Sequence, residues 1–246
     1  MQVINSVRLR NFWADHELSE TALRAWFQLT RSFDWVSPEA IAETFPGSRF
    51  HGDLVAFDVR GSTYFVIVSV DYARATYWVR DVQLHNVFRT DEWKSLAGRE
   101  DAAGRTYAEL IAEFPLRPIT DDDALKQAIT RVESLLTHAE RSQDEQDYLD
   151  VLSLLIAEYE YQHISIPPVS SAEIVRALIS EHKLSLAEII PLLGNREKAT
   201  ALLQGVRPLD LRQGTRAARY FKLPLESFMD PDDLEIELPR PARRRR

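Results

Sequence analysis

The sequence contains no cysteine and no long run of apolar residues. Without cysteine among its 246 residues, the chain can form no disulfide, use no catalytic thiol and build no cysteine-ligated zinc site. No apolar run approaches the roughly 20 residues that span a bilayer. The N-terminal stretch MQVINSVRLR also lacks the hydrophobic core of a signal peptide. We therefore expect a cytoplasmic protein with no membrane contact.

Positive charge is scarce overall, but it is concentrated towards the end of the chain. The sequence has 30 Lys and Arg against 38 Asp and Glu, which gives a net charge of −8. The net charge is −3 over residues 1–118, −8 over residues 119–165 and +3 over residues 166–246. Because nucleic-acid binding depends on the local field, the acidic total does not exclude it, and the C-terminal part is the candidate region.

The first part of the chain predicts a small α+β domain. Helical spacing of apolar residues over Val7–His16 and Glu20–Phe33 precedes three strand-like runs, Leu54–Arg60, Thr63–Asp71 and Ala75–Gln83. The short intervals between these runs favour tight hairpins and hence an antiparallel meander. Helices followed by hairpins are typical of an antiparallel sheet with its helices on one face.

Two amphipathic helices are predicted beyond a proline- and acid-rich boundary at Pro115–Asp123. They span Ala124–His138 and Gln146–His163, with a polar turn at Ala139–Glu145 between them. The strongly acidic charge of the chain falls on this hairpin. Two prolines, Pro167 and Pro168, end it and lead to the last helices.

Residues Ser185–Leu209 predict two short helices joined at a glycine. Ser185 followed by Glu188 is a capping box, Gly194 ends the first helix, and Asn195 caps the second. The predicted buried positions are Leu186, Ile189, Ile190, Leu193, Ala199, Leu202 and Leu203. An ordinary helical hairpin and a DNA-binding helix-turn-helix both fit this pattern, and the basic local charge favours the second.

The outward side of the second helix carries residue types that contact DNA. Arg196, Lys198 and Thr200 would reach base edges or adjacent phosphates in a major groove. Asn195 and Arg207 would lie near the sugar–phosphate backbone. The expected partner is therefore double-stranded DNA.

The first hundred residues resemble the HigB toxins, ribonucleases of the RelE-like fold. The motifs that carry the resemblance are RLRNFW at 8–13, LRAW at 23–26, DW at 34–35, SP at 37–38, FP at 45–46, GSTY at 61–64 and VRDVQLH at 79–85. Residues 115 to about 229 resemble the partner HigA antitoxins through AEYEYQH at 157–163 and LLQGVRPLDLR at 202–212. Together they resemble a toxin fused to its own antitoxin.

The resemblance implies a division into domains and a set of partners. We expect a toxin domain at 1–114, an acidic helical antitoxin region at 115–168, a helix-turn-helix domain at 169–229 and a disordered basic tail at 230–246. Antitoxins of this type bind palindromic operators as dimers, so the resemblance implies operator DNA as the ligand and a homodimer. The toxin part would act on mRNA at the ribosome.

A metal-independent ribonuclease needs groups that move protons and hold the scissile phosphate. The resemblance assigns His85 as general acid or base and Arg80 as the phosphate clamp, with Tyr64 nearby. No cofactor and no metal are expected, since His163 lacks a second ligand at metal-binding spacing. The chain departs from the family pattern at Phe65, where an arginine is common, and at Phe88, which replaces a polar group.

These departures leave several functions open. A DNA-binding autoregulator with a degenerate toxin domain is the leading hypothesis, because phenylalanine can neither transfer a proton nor hold a phosphate. A latent ribosome-dependent endonuclease, released by proteolysis within Arg141–Asp147, is the alternative. A third hypothesis is a protein-interaction platform whose last helices are only structural.

Overall fold

A computed structural model describes residues 2–61, 63–88, 91–98, 104–138 and 140–229. The predicted tail at 230–246 lies outside these residues. The first half forms one five-stranded sheet in the order β1-β5-β4-β3-β2. The strands are β1 (Gln2–Ile4), β2 (Arg49–His51), β3 (Leu54–Val59), β4 (Tyr64–Asp71) and β5 (Thr76–Leu84).

The predicted α+β class is confirmed, and β3, β4 and β5 form the expected antiparallel meander. Two short strands complete the sheet. β1 pairs in parallel with β5, and β2, which the sequence did not predict, pairs antiparallel with β3. A three-residue strand carries too little alternation for its sequence to reveal it.

Ten α-helices surround and follow the sheet within the described part of the chain. They are α1 (Val7–Asp15), α2 (Glu20–Ser32), α3 (Pro38–Thr44), α4 (Tyr107–Glu113), α5 (Asp122–Leu135), α6 (Gln143–His163), α7 (Ser171–Glu181), α8 (Leu186–Leu193), α9 (Arg196–Leu203) and α10 (Leu211–Phe221). Short 3-10 helices lie at Asp91–Leu96 and Leu225–Phe228.

Helix α6 begins three residues before its predicted start. The backbone N–H of Glu145 donates to the Ser142 hydroxyl (3.2 Å), and the Glu145 carboxylate accepts from the Ser142 N–H (3.0 Å). This capping box places its first helical residue at Gln143, so the last three residues of the predicted polar turn belong to the helix. Within Arg141–Asp147, the stretch expected to be open to proteolysis, residues 143–147 are helical, and Glu145 and Gln146 are buried.

One apolar core joins the sheet to the C-terminal helices. The helix-covered face of the sheet, with Tyr64 and Val66, shares a continuous buried cluster with Leu178 of α7 and Phe221 of α10. A second cluster joins Ile4 of β1 and residues of β5 to α4, α5 and α6. Because the cores are shared, the acidic hairpin and the last helices are both packed directly on the sheet half.

Two buried carboxylates also link the halves. Glu160 of α6 accepts the backbone N–H groups of Asn5 and Val7 at the start of α1, each at 3.0 Å. Glu181 at the end of α7 accepts the backbone N–H of Arg60 at 2.5 Å. Burial raises the pKa of Glu160 to about 7 and that of Glu181 to about 8, although these hydrogen bonds oppose the shift.

Candidate nucleic-acid interface and toxin-like site

Helices α8 and α9 occupy the positions that the caps predicted. Gly194 ends α8 with φ of 103°, a conformation that disfavours any side chain. The Asn195 side chain accepts the backbone N–H of Lys198 at 2.8 Å and so caps α9. The side-chain carbonyl oxygen of Asn195 is thereby engaged in a hydrogen bond within the helix. The predicted contact of Asn195 with DNA would then come from the remaining amide NH₂ group or from the backbone.

The side chains of α9 separate into a buried and an open side. Ala199 and Leu202 are buried as predicted, whereas Leu203, predicted to be buried, is 37% exposed. Arg196 is exposed, and Lys198 and Thr200 are half-buried on the outward side. Leu203 lies one position past Leu202, and this short helix turns it away from the core.

Arg207 follows α9 and differs from the other candidates. Its guanidinium lies 3.7 Å from the carboxylate of Asp210, the residue that caps α10. This loose ion pair leaves the side chain 41% exposed. Arg207 therefore reaches solvent beside the α9–α10 connection. Its contact with a DNA backbone stays a prediction from the sequence.

A row of arginines on α10 was missed by the sequence reasoning. Arg212, Arg216 and Arg219 are exposed, while Gln213, Gly214, Ala217 and Phe221 on the other side of the helix are buried. Arginines at i, i+4 and i+7 share one face of a helix. That spacing was the available signal. None of the three hydrogen-bonds or ion-pairs with any residue that the structure describes.

Polar contacts hold the C-terminal helices to the sheet half. The Arg24 guanidinium of α2 donates to the carbonyls of Pro167 (2.8 Å) and Pro168 (2.7 Å). His182 Nε2 lies 3.0 Å from the Thr44 carbonyl oxygen at the end of α3. These contacts and the shared core pack the C-terminal helices, which include α9 and α10, against the sheet half.

The predicted catalytic arginine is buried inside the fold. Arg80 is 6% exposed, and its Nη1 donates to the Ser69 hydroxyl at 2.9 Å. It is the extra residue where the pairing of β4 and β5 shifts register, a β-bulge. Burial lowers the pKa of Arg80, and the negative charges of Glu133 on α5 and of Asp53 oppose this shift. Arg80 is therefore in no position to clamp an external phosphate.

The other two predicted catalytic residues lie on opposite faces of the sheet. The Tyr64 ring packs edge-on against Phe12 of α1, with centroids 5.9 Å apart, inside the helix-covered core. His85 follows β5, and its ring stacks 6.0 Å from that of Phe65 on the other face. Its Nδ1 is buried without a hydrogen-bond partner among the described residues. The structure thus does not bring Tyr64 together with His85.

The face that carries His85 is filled by an aromatic cluster. The rings of Phe65 and Phe88 stack with centroids 3.8 Å apart, and Trp93 of the 3-10 helix stacks 5.5 Å from Phe88. The Arg49 guanidinium lies over both phenylalanine rings, at 5.4 Å and 5.0 Å. The two phenylalanines that depart from the toxin pattern are therefore the centre of a packed cluster.

The comparison with known families agrees with the resemblance of the first half. Residues 19–90 match the family model of HigB toxins, the RelE-like toxic component of a toxin–antitoxin system. This match supports a HigB-type domain. It covers α2, α3 and strands β2 to β5. No curated protein matches the chain.

Neither a metal site nor a membrane span is found in the described ranges. No group of three His, Asp or Glu side chains there has the arrangement to hold a metal ion. None of the helices in those ranges combines the length and the hydropathy that crossing a bilayer requires.

Proposed function

We propose that this chain is a DNA-binding transcriptional regulator in which a HigB-type domain is joined to a HigA-type antitoxin region. In this proposal α8 and α9 are the helix-turn-helix and α9 enters the major groove. Arg196, Lys198 and Thr200 meet bases or adjacent phosphates, with Asn195 and Arg207 near the backbone. The sheet half serves as the scaffold on which the DNA-binding helices are mounted.

One observation carries the proposal: the cations of α9 and α10 have no counter-ions. The side chains of Arg196, Lys198 and the three arginines of α10 form no hydrogen bond or ion pair within the described part of the chain. Exposed cations without partners can neutralise phosphates and release the counter-ions condensed on DNA. This occurs in a chain of net charge −8, so the local charge rather than the total would steer DNA to this surface.

The state of the toxin-like site supports a regulator rather than a nuclease. Arg80 is buried against Ser69, Tyr64 packs on the far face, and Phe65 and Phe88 fill the face of His85. Losing one transition-state cation or proton donor typically costs a factor of about 10² to 10⁴ in rate. We therefore assign the HigB-type domain a structural role.

The central test is DNA binding by the full chain. Electrophoretic mobility shift with the DNA upstream of its own gene should show a specific complex for the native protein. An Arg196→Ala/Lys198→Ala variant should bind at least tenfold more weakly, because two cations on the outward side of α9 are removed while its buried side is unchanged. Arg10→Ala, which removes an exposed arginine of α1, is the matched control. Equal binding by both variants, or no binding by the native chain, would contradict the proposal.

We also propose that the regulator binds as a homodimer. Two copies related by a twofold axis would place two α9 helices about 34 Å apart, one turn of B-DNA, on a palindromic site. Light scattering of the protein with and without its promoter duplex should give two chains per duplex. A complex with one chain per duplex would refute this part of the proposal.

A latent mRNA endonuclease is the second candidate, favoured by the HigB match and by the unpartnered Nδ1 of His85. The test is cleavage of mRNA on translating ribosomes by the full chain, before and after limited proteolysis. Cleavage that a His85→Ala variant loses would establish this function. Intact mRNA in every reaction, from a protein shown to be folded, would eliminate it.

A further inference from the structure

Two cations from different helices flank the turn between α8 and α9. A methyl group built on Gly194 would lie 3.7 Å from Cδ of Lys198 and 3.8 Å from Nη1 of Arg216. Both side chains therefore lie next to the same point of the turn, although α10 follows α9 by several residues. Gly194 itself has no side chain, which leaves the space between the two cations open.

Neither cation is neutralised by a neighbouring carboxylate. The side chains of Lys198 and Arg216 make no hydrogen bond or ion pair within the residues that the structure describes. The carboxylate of Glu188 on α8 accepts from the backbone N–H (2.8 Å) and hydroxyl (2.6 Å) of Ser185. Glu197 is exposed in the first turn of α9 and pairs with neither cation. Two like charges without a counter-ion form a site for an anion.

We infer that Lys198 and Arg216 together hold one phosphate of the DNA backbone at the α8–α9 turn. Arg212 and Arg219, which share the face of Arg216 on α10, continue the row towards neighbouring phosphates. The inference rests on the proposed DNA-binding function and assigns phosphate contacts and base contacts to different residues. Lys198 contacts phosphate, and Arg196 and Thr200 are left to read base edges.

The salt dependence of binding separates phosphate contacts from base contacts. Each lost phosphate contact on duplex DNA lowers the slope of log K against log salt by about 0.9, and it weakens binding equally on all sequences. A lost base contact instead reduces the preference for the specific site. Fluorescence anisotropy can measure both with labelled promoter duplex and a scrambled duplex of equal length.

The variants are Lys198→Ala, Arg216→Ala, their combination and Arg216→Lys, with Arg10→Ala as the matched control, all in the full chain. We expect both alanine variants to lower the slope on both duplexes, with an unchanged ratio of affinities between them. Because one phosphate is shared, the double variant should lose about 0.9 in slope. Arg216→Lys should retain the native slope, since it keeps the charge.

Several results would overturn the inference. The first is a salt slope for Arg216→Ala equal to that of Arg10→Ala. The second is a loss of about 1.8 in the slope of the double variant, which would mean that the two cations contact two separate phosphates. The third is a reduced ratio of affinities between promoter and scrambled duplex for Lys198→Ala. Any of these leaves DNA binding by the native chain intact, and so leaves the proposed function standing. Failure of the native chain to bind either duplex overturns both.

Discussion

The two ends of the molecule use their cations in opposite ways. Three arginines of the sheet half are bound into the structure: Arg80 to a buried hydroxyl, Arg49 over two aromatic rings and Arg24 to two backbone carbonyls. On α9 and α10 the side chains of the arginines and Lys198 are turned outward and form no hydrogen bond or ion pair with the described residues. The same residue types thus serve packing in one region and remain available in the other.

This difference between bonded and exposed cations indicates which of them could bind a ligand. A cation that hydrogen-bonds inside the fold is desolvated and contributes to stability, so a substrate would have to break those bonds to use it. An exposed cation without a partner loses little by binding a phosphate. Arg24, Arg49 and Arg80, which lie within the residues that match the toxin family, are therefore held as structure, whereas the arginines of α9 and α10 stay open to solvent.

The largest effect is expected from restoring the arginine that the toxin pattern has at position 65. Phe65→Arg would place a charge in a buried aromatic stack beside the guanidinium of Arg49, with the buried Asp58 opposite it on β3, and should lower the free energy of unfolding by about 5 kcal/mol. Chemical denaturation of the full chain measures this. Phe65→Leu should cost much less. A stable Phe65→Arg protein that cleaves ribosome-bound mRNA would break the comparison.

The next effect is expected from Arg80. Arg80→Ala removes a buried side chain and strands the Ser69 hydroxyl, so the free energy of unfolding should fall by about 3 to 4 kcal/mol. Arg10→Ala, an exposed position on α1, should change it by less than about 0.5 kcal/mol. Urea denaturation of both variants makes the comparison. An Arg80→Ala protein as stable as the native chain would show that this arginine is not structural.

A slightly smaller effect is expected from pH, through Glu160 and Glu181. Their folded-state pKa values, about 7 and about 8, lie above the ordinary value of 4.5, so the folded state binds protons more tightly. Their contribution is present in full below pH 4.5 and is lost as the pH rises through 7 and 8. We expect the free energy of unfolding to fall by about 3 kcal/mol between pH 6.5 and pH 9.

Gln variants can assign this pH dependence to the two glutamates. Glu181→Gln should flatten the fall above pH 7, because the amide does not titrate, whereas Glu158→Gln, at an exposed position of α6, should leave it unchanged. Asp58 and Lys183 also act on Glu181, in opposite directions. A native protein equally stable at pH 6.5 and pH 9 would show that the two carboxyl groups are not desolvated as described.

Local sequence signals predicted the elements well because caps and spacing act locally. Gly194 and Asn195 fixed the ends of α8 and α9, and the alternation in β3, β4 and β5 gave the meander. The same alternation places the neighbours Tyr64 and Phe65 on opposite faces, but only the structure shows that His85 stacks on the Phe65 side.

The packing of the site could not be predicted from the sequence. Arg80 is buried because a bulge in β5 and the docking of α5 place it there, and both depend on contacts between distant segments. Likewise, Lys198 and Arg216 meet at Gly194 only because α10 packs beside α8. The arginine spacing on α10 was visible in the sequence, but the packing of α10 beside α8 was not.

The smallest effect on stability is expected where the effect on DNA binding should be clear. Arg219→Ala removes an exposed, unpartnered side chain of α10, so the free energy of unfolding should change by less than about 0.5 kcal/mol. Its affinity for duplex DNA should still fall, with a salt slope lower by up to about 0.9. Thermal melting and anisotropy on the same preparation measure both quantities. A stability loss near that of Arg80→Ala, with DNA affinity unchanged, would mean that α10 uses its arginines as the sheet half does.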